Sequence, residues 1–417
     1  MTQKQIAVVG GGVVGVCTAY FLAAAGHEVV VIERRQNVAQ ESSFGNAGMV
    51  APAYSGPWAA PGMPARVLGG LFKSESAIAF KPRLDRTLWH WLRRWRAECD
   101  LERFRINKAR MQRVAFYSRA LLEQLRDHYQ LEYERTQGVL QLFRSQRDIR
   151  MAEPVIAMLS EYGVPHRMLD PDAARAREPG LSAHAELAGA LEFPQDEAGN
   201  CPLFTRRMKH IAATIGVQFH VAATVEAIEL ESRGVGLRID GQRFPVDAVV
   251  VAAGAASADL LRPLGIDVPM YPVRGYSLTA MIRDYDKVPQ ATVVDEAYKV
   301  AITRLGGRVR VAGTAELGAA TPALRERALR TLRKVAGDWF PQAAQYAEAN
   351  TWQGVHPMLP DGTPLLGATP VRDVYVNIGH GTEGWSMAVG SGKIVADIVS
   401  GQTPEVDMEG LTLQRYG

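Results

Sequence analysis

The stretch "QIAVVGGGVVGVCTAYFLAAAGHEVVVIERR", residues 5–35, leaves a chain of this kind few choices of fold. An apolar run, Ile6–Val9, meets G-x-G-x-x-G at Gly10, Gly12 and Gly15; a helix to about Ala25 follows, then a second apolar run ending in Glu33. Strand, tight turn, helix and strand in that order form the dinucleotide fingerprint. Gly10 permits the turn, Gly12 lets the backbone approach a pyrophosphate, and Gly15 allows close helix–strand packing. The helix N-terminus then presents N–H groups to the phosphates, so Gly10, Gly11, Gly12, Val13, Val14 and Gly15 are candidate cofactor residues. Glu33, 18 residues beyond Gly15, is placed to accept from a ribose hydroxyl, with Arg34 beside it.

The same region mimics another signal, because no charge falls between Ile6 and Gly26. A membrane span or secretory signal would have that composition. Three successive glycines would weaken such a helix, whereas strand, turn and helix explain them. With 417 residues, 47% of them hydrophobic, the chain has enough material for two domains. A net charge of +3 does not call for a nucleic-acid partner. Cys17, Cys99 and Cys201 are odd in number and far apart, which speaks against a disulfide framework, a zinc site or an iron–sulfur cluster and fits a reducing cytoplasm.

The fingerprint alone does not separate FAD from NAD. Residues 217–252 read as a β-meander with turns at Arg233-Gly234 and Asp240-Gly241, ending in an apolar strand that runs into Gly254. Near the C-terminus, "VYVNIGHGTEGWSMAVGSGKIVADIVSG" gives a strand, a turn with Gly379, Gly381 and Gly384, and a helix. That turn, with His380 and Thr382 in it, brings a second set of helix N-terminal amides toward a partly negative group, and a flavin ring fits that need. His380 itself is equally explained as a residue that a glycine turn tolerates.

Several long strings carry a family resemblance: "ESSFGNAGMVAPAYSGPWAAPGMP" (41–64), "GVLQLFRSQ" (138–146), "QDEAGNCPLFTRRM" (195–208), "YPVRGYSLT" (271–279), "YKVAITRLGGRVRVAGTAEL" (298–317) and "GHGTEGWSMAVGSG" (379–392). The chain resembles, over nearly its full length, the FAD-dependent D-amino-acid dehydrogenase small-subunit group within the D-amino-acid oxidase and glycine oxidase superfamily. The resemblance implies an α/β fold. A discontinuous Rossmann-like FAD-binding domain (1–64, 196–262 and 350–417) is joined to an α+β substrate domain (65–195 and 263–349), whose antiparallel sheet covers the flavin. It also implies that Ser42, Ser43, Asn46, Ala47 and Gly48 line the FAD, that Val225 meets the adenine through its backbone, and that Tyr54 rides on a mobile active-site loop. No cysteine falls in the glycine-rich turns or in 352–367, so the expected FAD is non-covalent.

Amine oxidation on a flavin needs a cation for the substrate carboxylate and an acceptor for the amine, with position and electrostatics supplied by the protein. Arg274 and Arg304 are candidate cations, since a guanidinium can donate two parallel hydrogen bonds. Tyr54, Tyr271, Tyr276 and Tyr298 are candidate hydroxyls and aromatic walls, or ordinary half-buried strand residues. In "GVHPMLPDGTP" the resembling family usually has Gly-Leu-Arg-Pro, whose arginine binds the carboxylate; here His356 stands in its place. The expectation is that Arg274 takes over the anchor with His356 orienting or partly neutralising the carboxylate, in a pocket reshaped for D-proline or a hydroxy-D-proline. The alternative is that His356 merely replaces the arginine as a neutral donor.

A basic stretch with Trp89, Trp91 and Trp95 among Arg83, Arg86, Arg93, Arg94, Arg96, Arg103, Arg105, Arg110 and Arg113 suits either an anionic membrane surface or a solvated helix that packs its aromatics inward. The function expected is dehydrogenation of a D-amino acid to an imine, with electrons passed to a quinone or the respiratory chain by a cytoplasmic, peripherally membrane-associated enzyme. A glycine- or sarcosine-type oxidase that makes peroxide, and a flavin-binding redox sensor without turnover, are the competing readings.

Overall fold

Gln5–Val9 sits at the centre of a six-stranded sheet, paired in parallel with Glu28–Glu33 on one side and Ala248–Val251 on the other. The order across the sheet of this computed structural model is 365–368, 374–378, 248–251, 5–9, 28–33, 218–221. Every pairing is parallel except that of Leu365–Ala368 with Val374–Ile378. Central strands buried on both faces read as continuous apolar runs, as "IAVV" and "AVVV" do. Residues 3–70, 75, 77–81, 84–318 and 321–416 are described.

The helix Val13–Ala24 and the C-terminal helix Gly384–Val399 cover one face of this sheet, with helices Leu101–Tyr129 and Cys201–Thr214 packed against them. Two contacts depend on glycine. A Cβ on Gly392 would lie 2.9 Å from the Cys17 carbonyl carbon, and one on Gly390 would lie 2.8 Å from Ser118 N. The long helix Leu101–Tyr129, within the stretch 65–195, thus lies against the nucleotide-binding core.

The meander expected across 217–252 divides between two sheets. Val225–Leu230, Val235–Ile239 and Gln242–Val246 form a three-stranded antiparallel sheet, while Gln218–Val221 and Ala248–Val251 are strands of the parallel sheet. Apolar "AVVV" is buried throughout, which a solvent-facing meander strand would not be.

The other large sheet has ten strands among the described residues, running 350–358, 271–281, 308–318, 300–305, 292–295, 136–143, 189–198, 49–50, with 78–81 and 167–169 added alongside. It is mostly antiparallel; 136–143 with 292–295 and 78–81 with 308–318 pair in parallel. Strand Asn350–Met358, which carries His356, belongs to this sheet. One face packs on the helix 322–339 through Tyr276, Leu278, Ile302, Val309 and Val311. The opposite face, with Gly275, Ala301, Ala312 and Ala315, borders a cavity.

Helix Arg86–Ala97, capped by Asp85, buries Leu88, Trp91 and Trp95, and Trp91 packs on Tyr271 with ring centroids 5.9 Å apart. Two of the three tryptophans of the basic stretch are therefore core residues; Trp89 is half exposed, and Arg83 lies outside the described residues. Among the described residues no helix is long and apolar enough to cross a membrane.

Candidate active site

The phosphate cradle forms where strand Gln5–Val9 hands over to helix Val13–Ala24. Gly10 has φ +112°, and a Cβ there would meet Ala252 O at 2.5 Å; one on Gly15 would lie 1.9 Å from Gly10 O. Glu33 closes the far side, its Oε2 accepting from Gly11 N and its Oε1 from Arg35 N, both at 2.7 Å. Ser43 Oγ accepts from Val13 N at 3.1 Å, which brings the 42–48 loop against the helix start beside Val14. The backbone N–H groups of Ala222 and Ala223 donate to Arg35 O and Glu33 O, which sets Val225 close to the end of that strand. Arg34 is engaged with Glu41 through Nε and Nη2 at 2.7 and 2.6 Å.

From the cradle the 42–48 loop runs to the cavity. Ser42 Oγ donates to Val355 O, Asn46 Oδ1 accepts from Gly48 N at 2.7 Å, and Thr303 Oγ1 donates to Ala47 O at 2.8 Å. Arg310 reaches the same loop, donating through Nη1 to Phe44 O and Asn46 O at 3.1 Å. Gly48, at φ +91°, leaves 2.7 Å between a Cβ and Gly199 O. Gly254, at φ +56°, opens the turn after the central strand Ala248–Val251.

The C-terminal glycine turn is built equally tightly. A Cβ on Gly379 would lie 2.2 Å from Leu359 Cδ1, and one on Gly381 would lie 2.8 Å from Met358 Sδ. His380 is buried, its Nε2 3.0 Å from Ser391 Oγ, and burial lowers its pKa to about 3. It acts as a neutral core residue bracing the turn. Thr382 borders the cavity, and Gly384 starts the helix.

The cavity has a volume of about 540 Å³, with Asn46, Ala47 and Thr382 on the cofactor side and Gly275 and His356 on the sheet side. Tyr54 and Tyr298 also line it, whereas Tyr271 belongs to the core around Trp91. The hydroxyl of Tyr276 donates to Glu316 Oε2, on the side away from the cavity. Strand phase decides the arginines. Gly275 faces the cavity, so Arg274 points the other way, where its Nη1 donates to Gly318 O at 3.3 Å. Thr303 faces Ala47, so Arg304 lies on the face of Ile302, the side of the helix 322–339. Neither arginine lines the cavity, and the expected carboxylate anchor is not at this wall.

His356 pairs with Val273 in register and lies over Gly275, where a Cβ would come within 2.4 Å of Nε2. Burial lowers its pKa to about 4 against an opposing hydrogen bond to the Gly381 backbone. The imidazole is neutral at neutral pH, so it does not neutralise a carboxylate. Its single N–H is committed to Gly381, and the remaining ring nitrogen is an acceptor.

The loop carrying Tyr54 is tied down rather than free. Asp196 Oδ1 and Oδ2 accept from Ala53 N and Tyr54 N at 3.2 Å, and Gln112 Nε2 donates to Pro52 O and Ala53 O. Ser55 Oγ lies 2.9 Å from both Ala51 O and Glu383 Oε2. Burial raises the Asp196 carboxyl to about 7 despite these bonds, pushes the Glu383 carboxyl upward, and holds the Tyr54 hydroxyl well above its usual range.

Lys108, on helix Leu101–Tyr129, escaped the sequence reading. It is 2% exposed, lines the cavity and donates to Ser55 O at 2.7 Å. A signal existed: Phe104, Lys108, Met111 and Ala115 recur at helical spacing on the buried face, where lysine is out of place.

A cradle closed to any side chain at Gly10 and Gly15, an acid at the strand end, and a loop leading from there into a cavity flanked by a second glycine turn together fit an adenine dinucleotide whose ring system reaches the cavity. The fold is shared with solved structures. Glycine oxidase from Geobacillus kaustophilus matches at TM-score 0.77 and 22% identity, covering 100% of this chain and 99% of that one. L-proline dehydrogenase from P. horikoshii matches at 0.73 and 19% identity, covering 99% and 98%. Iminodiacetate oxidase from Chelativorans sp. BNC1 matches at 0.71 and 20% identity, covering 98% of each chain. Residues 5–398 match the family described as FAD dependent oxidoreductase (DAO), and the chain belongs to that family, with FAD as its cofactor.

Proposed function

We propose that the protein oxidises the C–N bond of a small amino acid, taking D-amino acids and favouring a cyclic secondary amine such as D-proline or a hydroxy-D-proline. The observation that carries this reading is the neutral His356, an acceptor on the wall of a cavity that the cofactor loop also borders. Bound FAD would supply the hydride acceptor for oxidation at the substrate α-carbon. That step needs the amine unprotonated. An uncharged imidazole can accept the amine N–H and so orient it, which a cationic residue at position 356 could not do, while desolvation of the amine in the cavity favours its uncharged form. Asn46, Ala47 and Thr382 would hold the ring system, and the sheet residues Gly275 and Ala312 line the opposite side.

The solved relatives that bear the names glycine oxidase, L-proline dehydrogenase and iminodiacetate oxidase support a substrate of the amine or amino-acid class. The imine product hydrolyses to a 2-oxo acid and ammonia, or remains a cyclic imine when the substrate is cyclic. A quinone or another respiratory carrier is the electron acceptor in this reading. Anaerobic mixing of the flavin-loaded protein with D- and L-amino acids, followed as loss of flavin absorbance, tests it. Fast bleaching by D-proline or hydroxy-D-prolines is expected; bleaching by L-isomers alone, or by none, overturns it. Stoichiometric peroxide in air would instead favour an oxidase, a reading supported by the likeness to glycine oxidase.

A further inference from the structure

Four cationic side chains border the cavity among the described residues: Arg66, Lys108, Arg144 and Lys299. Three already face carboxylates. Arg66 and Lys299 lie 3.7 and 2.5 Å from Glu296, and Arg144 lies 2.7 Å from Asp295 and 2.9 Å from Asp338. Lys108 differs from them. It is the most deeply buried of the four, and its hydrogen-bond partner is a neutral carbonyl, Ser55 O. An ammonium has three N–H donors, so two remain after that bond. Holding a charge there with no carboxylate in direct contact is costly, and a ligand that brings one recovers part of the cost.

We propose that Lys108 binds the carboxylate of the amino-acid substrate, a role that rests on the oxidation reading above. The position of the side chain supports it. Gly56 packs against the lysine stem, where a Cβ would lie 3.4 Å from Nζ, in ordinary van der Waals contact. Lys108 and His356 border the same cavity, one as a donor cation and the other as a neutral acceptor, which matches a carboxylate and an uncharged amine on one small molecule. A lysine is a point charge and does not fix the carboxylate plane as an arginine fork does. Orientation then falls to the amine contact at His356, which suits a ring nitrogen with a single N–H. Burial lowers the Lys108 pKa to about 8, with Glu383 and Asp196 opposing that fall and Lys299 adding to it. The group thus keeps its proton at neutral pH.

The test titrates flavin-loaded protein with pyrrole-2-carboxylate, an unreactive planar acid, and follows the flavin spectrum in the wild type, Lys108→Met and Lys108→Arg. Reduction by D-proline and by pyrrolidine, which lacks the carboxylate, is measured alongside. The proposal predicts that Lys108→Met weakens pyrrole-2-carboxylate binding by about 30-fold or more, as expected for a lost charge-assisted contact, and leaves the half-saturation for pyrrolidine within about threefold. Lys108→Arg should recover part of the loss. Wild-type affinity for the acid should also fall above pH about 8 as the ammonium is lost. Unchanged binding in Lys108→Met, equal weakening toward the acid and pyrrolidine, or affinity that is flat across that pH range each overturns the proposal. Amino-acid oxidation that persists with unaltered half-saturation in Lys108→Met sinks the anchor alone; a wild type that binds the acid through Lys108 yet is reduced by no amino acid sinks the oxidation reading alone.

Discussion

Replacing Lys108 with methionine should make the protein more stable at neutral pH. Burial drops the lysine from 10.5 to about 8. At about 1.36 kcal/mol per pH unit, keeping the folded lysine protonated at pH 7 costs about 3 kcal/mol. Methionine removes that cost, fills a similar volume and forfeits the bond to Ser55 O, worth about 1 kcal/mol, for a net gain of about 2 kcal/mol. With an unfolding entropy of about 2.1 cal/mol/K per residue, 417 residues give about 0.9 kcal/mol/K, so the midpoint should rise by about 2 °C. The sign reverses with pH. The unfolded lysine keeps its proton up to about 10.5 while the folded one loses it near 8, so wild-type stability recovers as pH rises between those values. The value of about 8 already contains the opposing pull of Glu383 and Asp196 and the repulsion from Lys299, so these charges are not counted again. Calorimetry of both flavin-loaded proteins at pH 7 and pH 10 measures the gap. A methionine variant that is less stable at pH 7, or a gap independent of pH, would refute the claim that Lys108 is held charged against its surroundings.

Three further substitutions check the cavity's geometry. Arg274→Ala and Arg304→Ala should leave kcat/KM for the preferred amino acid within about threefold, because both side chains lie on the face away from the cavity; a hundredfold drop in steady-state assays would return one of them to the anchor role. Gly275→Ala should lower kcat/KM by about tenfold or more with FAD content unchanged. Its Cβ would come within 2.4 Å of His356 Nε2, so the ring must leave its bond to Gly381, and unaltered kinetics would show that His356 is not positioned for the substrate.

The cradle was legible in the sequence because it is local. Gly10, Gly15 and Glu33 act within one strand–helix–strand unit, and the spacing that names them is also what closes the turn. Which residues face the cavity depends instead on strand phase and on pairings far apart in the chain. Arg274 and Gly275 are neighbours with opposite fates, and the ladder to the 308–318 strand shifts register right after Gly275. One residue of slip exchanges the two faces, and no feature of "YPVRGYSLT" fixes that phase. His356 was found by departure from a family pattern, but its neutrality depends on burial and on the Gly381 backbone, both properties of the folded chain.

The groups around the 51–55 loop separate by how fully they are satisfied. Asp196 is buried, but both its oxygens accept from backbone N–H groups of that loop, so its burial is explained by holding Ala53 and Tyr54 in place. Glu383 accepts from the Ser386 hydroxyl and sits within reach of Ser55, which fastens the loop to the start of the C-terminal helix. Lys108 completes the arrangement through Ser55 O, yet a neutral donor at position 108 would hold that carbonyl as well without bringing a charge into the interior. A buried ion is weak evidence of stability and is better understood through what it is placed to meet. The lysine's charge has only a neutral carbonyl in direct contact, and it borders the space where a substrate carboxylate would supply a partner.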